Sequence, residues 1–147
     1  MLVVGSKTPP SKNGEVFTFA EGWSDTLEYP YVDASISYHQ TVYVPDHSAF
    51  YIIGGYSSSD FMAVATIGML KEGTWSPAGS LLKARRQHVA VWTGTSLIVA
   101  GGSPETQPTE RCRLDHLTGH FDCIDIGPDL DAYSIGAAFL VNEAYCP

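Results

Sequence analysis

The sequence is short of charge, and of positive charge in particular. Only 16% of its 147 residues are charged, and eight lysines and arginines stand against sixteen acidic residues, giving a formal net charge of −8. Because polyanions and anionic lipid surfaces attract basic proteins, this balance argues against nucleic acid and against a membrane as partners. The one basic cluster, Lys83-Ala84-Arg85-Arg86, is interpreted as a solvated loop between strands.

Long apolar runs, helical periodicity and catalytic motifs are also lacking. No run approaches the roughly 20 residues needed to span a bilayer, and Gly5, Ser6 and Lys7 interrupt the amino terminus too early for a signal peptide. No stretch of about ten residues has a convincing apolar stripe of helical period. There is no G-x-S-x-G, H-E-x-x-H, P-loop or dinucleotide motif. The sequence therefore predicts no enzyme activity, no cofactor and no metal.

Glycine and aromatic residues are plentiful, and they recur in a pattern. The apolar run Phe50–Ile53 directly precedes Gly54-Gly55, and Leu97–Ala100 precedes Gly101-Gly102, 47 residues later. A shorter copy ends at Gly5, 49 residues before Gly54. Each copy is interpreted as a buried strand that ends where the backbone needs a positive φ or a close approach.

The repeat length predicts the architecture. Turn signals divide each unit of about 47–50 residues into four short strands, as expected for the antiparallel blades of a propeller. A β-sandwich of similar size is the alternative, because it also combines short strands with evenly spaced turns. In both cases the chain is predicted to be all-β.

The repeated units resemble the kelch repeat. Gly73-x-Trp75 follows Gly54-Gly55, with Trp75 twenty residues beyond the pair, and Arg86-x-His88 ends thirteen residues before Gly101-Gly102. The tyrosine usual six residues before the tryptophan is replaced, by Met69 in this unit. The structural repeat positions that the resemblance assigns are Gly5, Trp23, His39, Gly54, Gly55, Trp75, Arg86, His88, Gly101, Gly102 and Phe121.

The resemblance implies an open fragment of a kelch-type propeller over residues 1–147. It predicts an incomplete first blade at about 1–34, further units at 35–83 and 84–131, and the start of another at 132–147. This amounts to about two and a half to three four-stranded blades, whereas closed propellers have at least four. The uncovered blade ends predict self-association as one way to bury apolar surface.

The function that the resemblance implies is a non-catalytic protein–protein interaction module. One alternative is a substrate-recruiting part of a ubiquitin-ligase adaptor, and another is a fragment of a kelch-type enzyme or carbohydrate-binding protein. Loops on a rigid β scaffold are the expected contact sites. The candidate partner-loop residues are Tyr56, Ser57, Ser58, Ser59, Asp60, Lys83, Arg85, Glu105 and Gln107.

Aromatic and histidine residues that recur at one repeat position are predicted to be structural. Trp23, Trp75 and Phe121 are expected to pack between blades rather than to form a ligand platform. His39 and His88 are expected to make structural hydrogen bonds rather than to catalyse a reaction.

The cysteines leave two alternatives. Cys112, His116, His120 and Cys123 have a superficially zinc-like spacing, but they span a predicted hairpin. A turn that pairs His116 with Gly119 would place Cys112 opposite Cys123, either as a disulfide or as two reduced thiols. A bridge would imply an oxidising, secretory compartment, and reduced thiols a cytoplasmic one.

The acidic residues between the hairpin and the carboxyl-terminal stretch do not form a recognised ion site. Their spacing lacks the order of an EF-hand loop, so a solvated rim is predicted instead of a calcium site. The residues concerned are Asp122, Asp125, Asp129 and Asp131.

Overall fold

The computed structural model describes residues 2–6, 11–20, 22–23, 27–28, 36–104 and 107–127. Over these ranges the chain is all-β, with a single 3-10 turn at Pro45–His47. The strands are β1 (Leu2–Ser6), β2 (Ser11–Thr18), β3 (Gly22–Trp23), β4 (Leu27–Glu28), β5 (Ile36–Ser37), β6 (Gln40–Val44), β7 (Ala49–Ser57), β8 (Met62–Lys71), β9 (Thr74–Ser80), β10 (Val89–Trp92), β11 (Ser96–Ala100), β12 (Glu110–Asp115) and β13 (His120–Asp125). None of the described segments forms a helix with the length and apolar character that crossing a bilayer requires.

Eight of these strands form two four-stranded antiparallel units. In unit A, β6 to β9 pair in sequence order, and in unit B, β10 to β13 do the same. A single parallel bridge between Phe121 and Gly79 joins the outermost strands of the two units. With β5, the units form one strongly curled sheet that stays open, as in a propeller-like array of blades. Strands β1, β3 and β4 pair with β2 in a smaller sheet.

The hydrophobic core lies between the two units. Residues along β12 alternate strictly between buried and exposed, which gives unit B one apolar face and one polar face. The apolar face of unit B packs against the face of unit A that carries Tyr51 and Ile53, so each unit covers the other. The buried members of this core are Val42, Val44, Ala49, Tyr51, Ile53, Ile67, Ala78, Leu81, Leu97, Val99, Cys112, Leu114 and Phe121.

Phe121 has the packing role that its repeat position predicted. Its ring is 1% exposed and meets the Tyr51 ring of unit A edge-on, with the centroids 4.9 Å apart. A second edge contact, at 6.1 Å, joins it to Trp92 of its own unit. Trp75 is partly buried, whereas Trp23 is 53% exposed. The aromatic position therefore stabilises the junction between units at Phe121.

The first glycine pair has the left-handed backbone that was predicted, but it does not end its strand. Gly54 and Gly55 have φ angles of 55° and 119°, and β7 continues past them to Ser57 through an irregular register. The Gly55 N–H donates to the Arg85 carbonyl oxygen at 2.9 Å, and a Cβ atom on Gly54 would lie 2.7 Å from that oxygen. The pair therefore marks the point where the Arg85 segment crosses β7. Only the second pair follows a strand end, at Ala100.

We expect Gly79→Ala to destabilise the chain by about 3 kcal/mol, because it combines backbone strain with a backbone clash. Gly79 has a φ of 118°, and an added Cβ would overlap the Phe121 carbonyl oxygen at the bridge between the units. Gly73→Ala is the matched control, since Gly73 also has a positive φ but nothing lies within 4 Å of the added atom. Its cost should be about 1 kcal/mol. Equal losses in urea unfolding would show that the bridge does not constrain the fold.

Candidate functional site

Three connections between strands converge on one cleft at the edge of the two units. They are residues 58–61 between β7 and β8, residues 81–88 between units A and B, and, between β11 and β12, residues 101–104 with 107–109. The cleft has a volume of about 310 Å³, and we call it the loop cleft. Its lining includes Tyr56, Phe61, Met62, Ala84, Arg86 and Pro104.

The apolar wall of the loop cleft is formed by Phe61 and Met62. Their side chains are 75% and 64% exposed, although they belong to residue types that are usually buried. Phe61 also has a φ of 55°, a left-handed conformation that is unusual for a bulky side chain. Such conformations persist where the surrounding structure imposes them, and they concentrate at functional sites.

The polar wall of the loop cleft is Arg86. Its backbone exchanges two hydrogen bonds with Ser103, with N···O distances of 3.1 and 2.9 Å, and its Nε donates to Ser103 Oγ at 3.2 Å. The guanidinium carbon lies 4.7 Å from the centroid of the Tyr56 ring, within cation–π range. Arg86 is thus held in place by Ser103 of the third connection and by Tyr56 at the end of β7.

The neighbouring Arg85 anchors the connections from the inside. Its side chain is fully buried, forms an ion pair with Glu110 and donates to the carbonyl oxygens of Gly101 and Pro108 at 3.1 and 2.9 Å. Glu110 also accepts from the backbone N–H groups of Leu82 and Lys83, at 2.8 and 3.2 Å. Burial lowers the pKa of Arg85, and the adjacent Glu110 opposes this shift only in part. One buried ion pair therefore connects the segment of Leu82 to Arg85 with Gly101 and Pro108.

The predicted roles of the two arginines are reversed. Arg85 was expected to contact a partner from a solvated loop, but it is 0% exposed because it serves Glu110 and two buried carbonyl groups. Arg86 was assigned a structural repeat position, yet it lines the loop cleft. Adjacent side chains of an extended segment point in opposite directions. A difference of one residue in position therefore determines which of the two arginines is buried and which is accessible.

The other predicted loop residues divide between the surface and the interior. Tyr56 lines the cleft, and Lys83 and Asp60 are exposed. Ser57 and Gln107 are buried, so they support the loops instead of meeting a partner. Ser57 Oγ donates to the Asp60 carboxylate at 3.0 Å, which ties down residues 57–60. Ser58 and Ser59 belong to this turn, whereas Glu105 lies outside the described residues.

The two repeat histidines lie beneath the crossing at the glycine pair. His88 is 1% exposed, and an added Cβ on Gly54 would lie 2.9 Å from its Cε1 atom. Among the described residues, no hydrogen bond of normal geometry reaches either ring nitrogen of His88 or Nδ1 of His39, and the hydrogen-bonding role of the two rings stays a prediction. Burial lowers the pKa of His88 to about 3 and that of His39 to about 4. Both rings are therefore neutral at pH 7.

The predicted register of the last hairpin is confirmed, and its cysteines are bonded. Cys112 is opposite Cys123 in the β12–β13 ladder, and a disulfide joins them. Glu110 lies within 4.8 Å of both sulfur atoms, but bonded sulfurs are not thiolate ligands. His116 and His120 are exposed at the turn end of the hairpin. Cys146, Asp129 and Asp131 lie outside the described residues.

Sequence reasoning missed Phe61, Met62, Pro104 and Glu110. The available signal for the first two was a pair of large apolar residues placed directly after the polar run Tyr56–Asp60. Comparison of the whole chain with known protein families and with curated proteins finds no match.

Proposed function

We propose that this chain is a non-catalytic protein-interaction module, built as part of a kelch-type β-propeller, which binds its partner at the loop cleft. The observation that carries the proposal is the exposure of Phe61 and Met62 on a cleft formed by three anchored loops. Neighbouring apolar side chains left exposed on a rigid scaffold are typical of interaction sites. The kelch resemblance supports the same function, because it implies a propeller whose loops contact proteins.

The size and chemistry of the cleft favour a side chain of a partner over a bound cofactor. A volume of about 310 Å³ is at the lower end of the range for small-molecule sites, roughly 300–1,000 Å³. The described part of the lining combines aromatic, thioether and proline surface with one guanidinium, and no carboxylate or histidine is among these residues. A large apolar side chain would fit this lining.

The alternative functions have less support. A role in a ubiquitin-ligase adaptor depends on the kelch resemblance alone. A fragment of a kelch-type enzyme or carbohydrate-binding protein would need polar groups that converge on a ligand, and the lining residues that the structure describes include only two ionisable groups, Arg86 and Tyr56. The disulfide favours an oxidising compartment, which a thiol count of the unfolded, unreduced protein would test.

We expect Phe61→Asn to weaken partner binding strongly while leaving the fold intact. Asparagine tolerates the left-handed backbone of this position better than phenylalanine does, so the free energy of unfolding should stay equal or rise slightly. The test uses random peptides displayed on phage and selected on the full chain. Peptides that bind the wild type should lose about 30-fold in affinity on the variant, as for an interface residue worth about 2 kcal/mol.

Leu117→Asn is the matched control for this test. Leu117 is 96% exposed at the turn between β12 and β13, so its substitution removes a similar apolar surface outside the cleft. Binding should be unchanged in this variant. Selection that enriches no peptide dependent on Phe61 would overturn the proposed function.

A further inference from the structure

We propose that the loop cleft selects acidic peptide segments, in which an apolar side chain enters the cleft and a neighbouring aspartate or glutamate pairs with Arg86. The inference rests on the proposed function, and it adds the chemistry of the partner. Two features carry it: a preorganised guanidinium that forms no ion pair among the described residues, and a second exposed cation, Lys83, on the same connection.

Arg86 is preorganised for a carboxylate. The bond from its Nε to Ser103 Oγ and the Tyr56 ring beneath its guanidinium carbon restrict the orientation of the planar group. Neither ion pair among the described residues involves Arg86. A guanidinium presents parallel N–H donors that match the two oxygens of a carboxylate, so a bidentate pair is the natural complement.

The contrast with Arg85 shows what is missing at Arg86. Both arginines lie in the same connection, and Arg85 has a buried carboxylate partner in Glu110. Arg86 is only partly buried, at the wall of a cleft whose other side is Phe61 and Met62. A partner with one apolar group and one carboxylate would satisfy both walls together. Ion pairs next to apolar surface are screened less by salt than fully exposed pairs.

The charges around the loop cleft favour an acidic segment. Lys83 is exposed on the same connection as Arg86, outside the cleft lining, in a chain whose net charge is −8. Asp60 is the nearest described carboxylate along the chain, and it accepts a hydrogen bond from Ser57 on its own loop. A guanidinium at the cleft with an exposed lysine on the same connection favours an acidic partner segment over a neutral one.

The experiment uses the peptides selected on the full chain and an acid-to-amide exchange in each. We expect them to contain an aspartate or glutamate within two positions of a large apolar residue. Replacement of that acid by asparagine or glutamine should weaken binding to the wild type at least about tenfold. The Arg86→Gln variant should bind the acid and the amide peptides equally. Arg86→Lys keeps the charge without the fork, and it should retain a reduced preference for the acid.

The acid-to-amide preference separates recognition from folding. A merely structural loss in Arg86→Gln would weaken both peptides alike and leave their ratio unchanged, which would overturn this inference. Phe61-dependent peptides without a carboxylate would also overturn it, while the proposed interaction function would stand. Failure to select any Phe61-dependent peptide would overturn both.

Discussion

Glu110→Gln should lower the free energy of unfolding by about 3–5 kcal/mol, more than any other single substitution proposed for this chain. The side chains of Arg85 and Glu110 are both 0% exposed and in direct contact. The amide keeps the shape and an acceptor oxygen but removes the negative charge. A buried guanidinium is then left without a counter-charge, in surroundings where water cannot replace it.

The same substitution should loosen the loop cleft. Glu110 holds the backbone of Leu82 and Lys83, and Arg85 holds the carbonyl groups of Gly101 and Pro108. These contacts position the connections that carry Arg86 and Pro104. Peptide affinity should therefore fall in Glu110→Gln, although Glu110 lies outside the cleft lining.

Urea unfolding of the single and double variants measures the effect. Arg85→Met/Glu110→Gln removes the orphaned charge, so it should be more stable than Glu110→Gln alone. The control is Asp122→Asn, because the pair between His120 and Asp122 has a distance of 3.9 Å and is mostly exposed. That control should cost less than about 1 kcal/mol. A double variant that loses the sum of the two single losses would contradict a dominant role for the unpaired charge.

Local patterns predicted much of the fold. Alternation and turn spacing give β12, β13 and their register, and so bring Cys112 opposite Cys123. The glycine pair correctly predicted a positive φ, but the continuation of β7 depends on the Arg85 segment that crosses it. That segment is far from Gly54 in the sequence, so no local pattern contains the contact.

The candidate site was predicted only as separate loops. Three loops were named from composition, and the fold brings them to one cleft through the curl of the sheet and the Arg85–Glu110 pair. Phe61 and Met62 were not among the predicted loop residues, because large apolar side chains next to a strand usually belong to the core. Their exposure follows from the left-handed backbone at Phe61. A phenylalanine in the sequence does not predict such a backbone conformation.

Acidification below pH 6.5 should destabilise the chain through its buried histidines. Burial, helped by the nearby Arg85 and His39, lowers the pKa of His88 to about 3, and the Ile53 backbone opposes this shift only in part. Burial alone lowers the pKa of His39 to about 4. Both return to about 6.5 on unfolding, so the unfolded chain binds protons that the folded chain excludes.

The sign of the effect follows from these depressed values. The contribution of each histidine to stability is complete above pH 6.5 and declines as the pH falls toward its folded pKa. The slope is about 1.4 kcal/mol per pH unit for each ring, so between pH 6.5 and about 4.5 each should remove about 2–3 kcal/mol. His47, whose pKa is also lowered by burial, Lys71 and His116, adds to the slope.

Unfolding in urea across this pH window, with His88→Leu as the variant, tests the assignment. Removing the His88 ring should reduce the pH dependence of the free energy of unfolding by the contribution of one histidine. It should also remove two buried nitrogens that have no hydrogen-bond partner among the described residues. His120→Gln is the control, because it removes an exposed imidazole at the outer hairpin and keeps both buried rings in place. A flat wild-type profile would mean that the folded chain protonates both rings freely. Both rings pack beneath the Gly54-Gly55 crossing, where the Arg85 segment and β7 cover them. Free protonation would require water to reach the rings, so a flat profile would also contradict this packing.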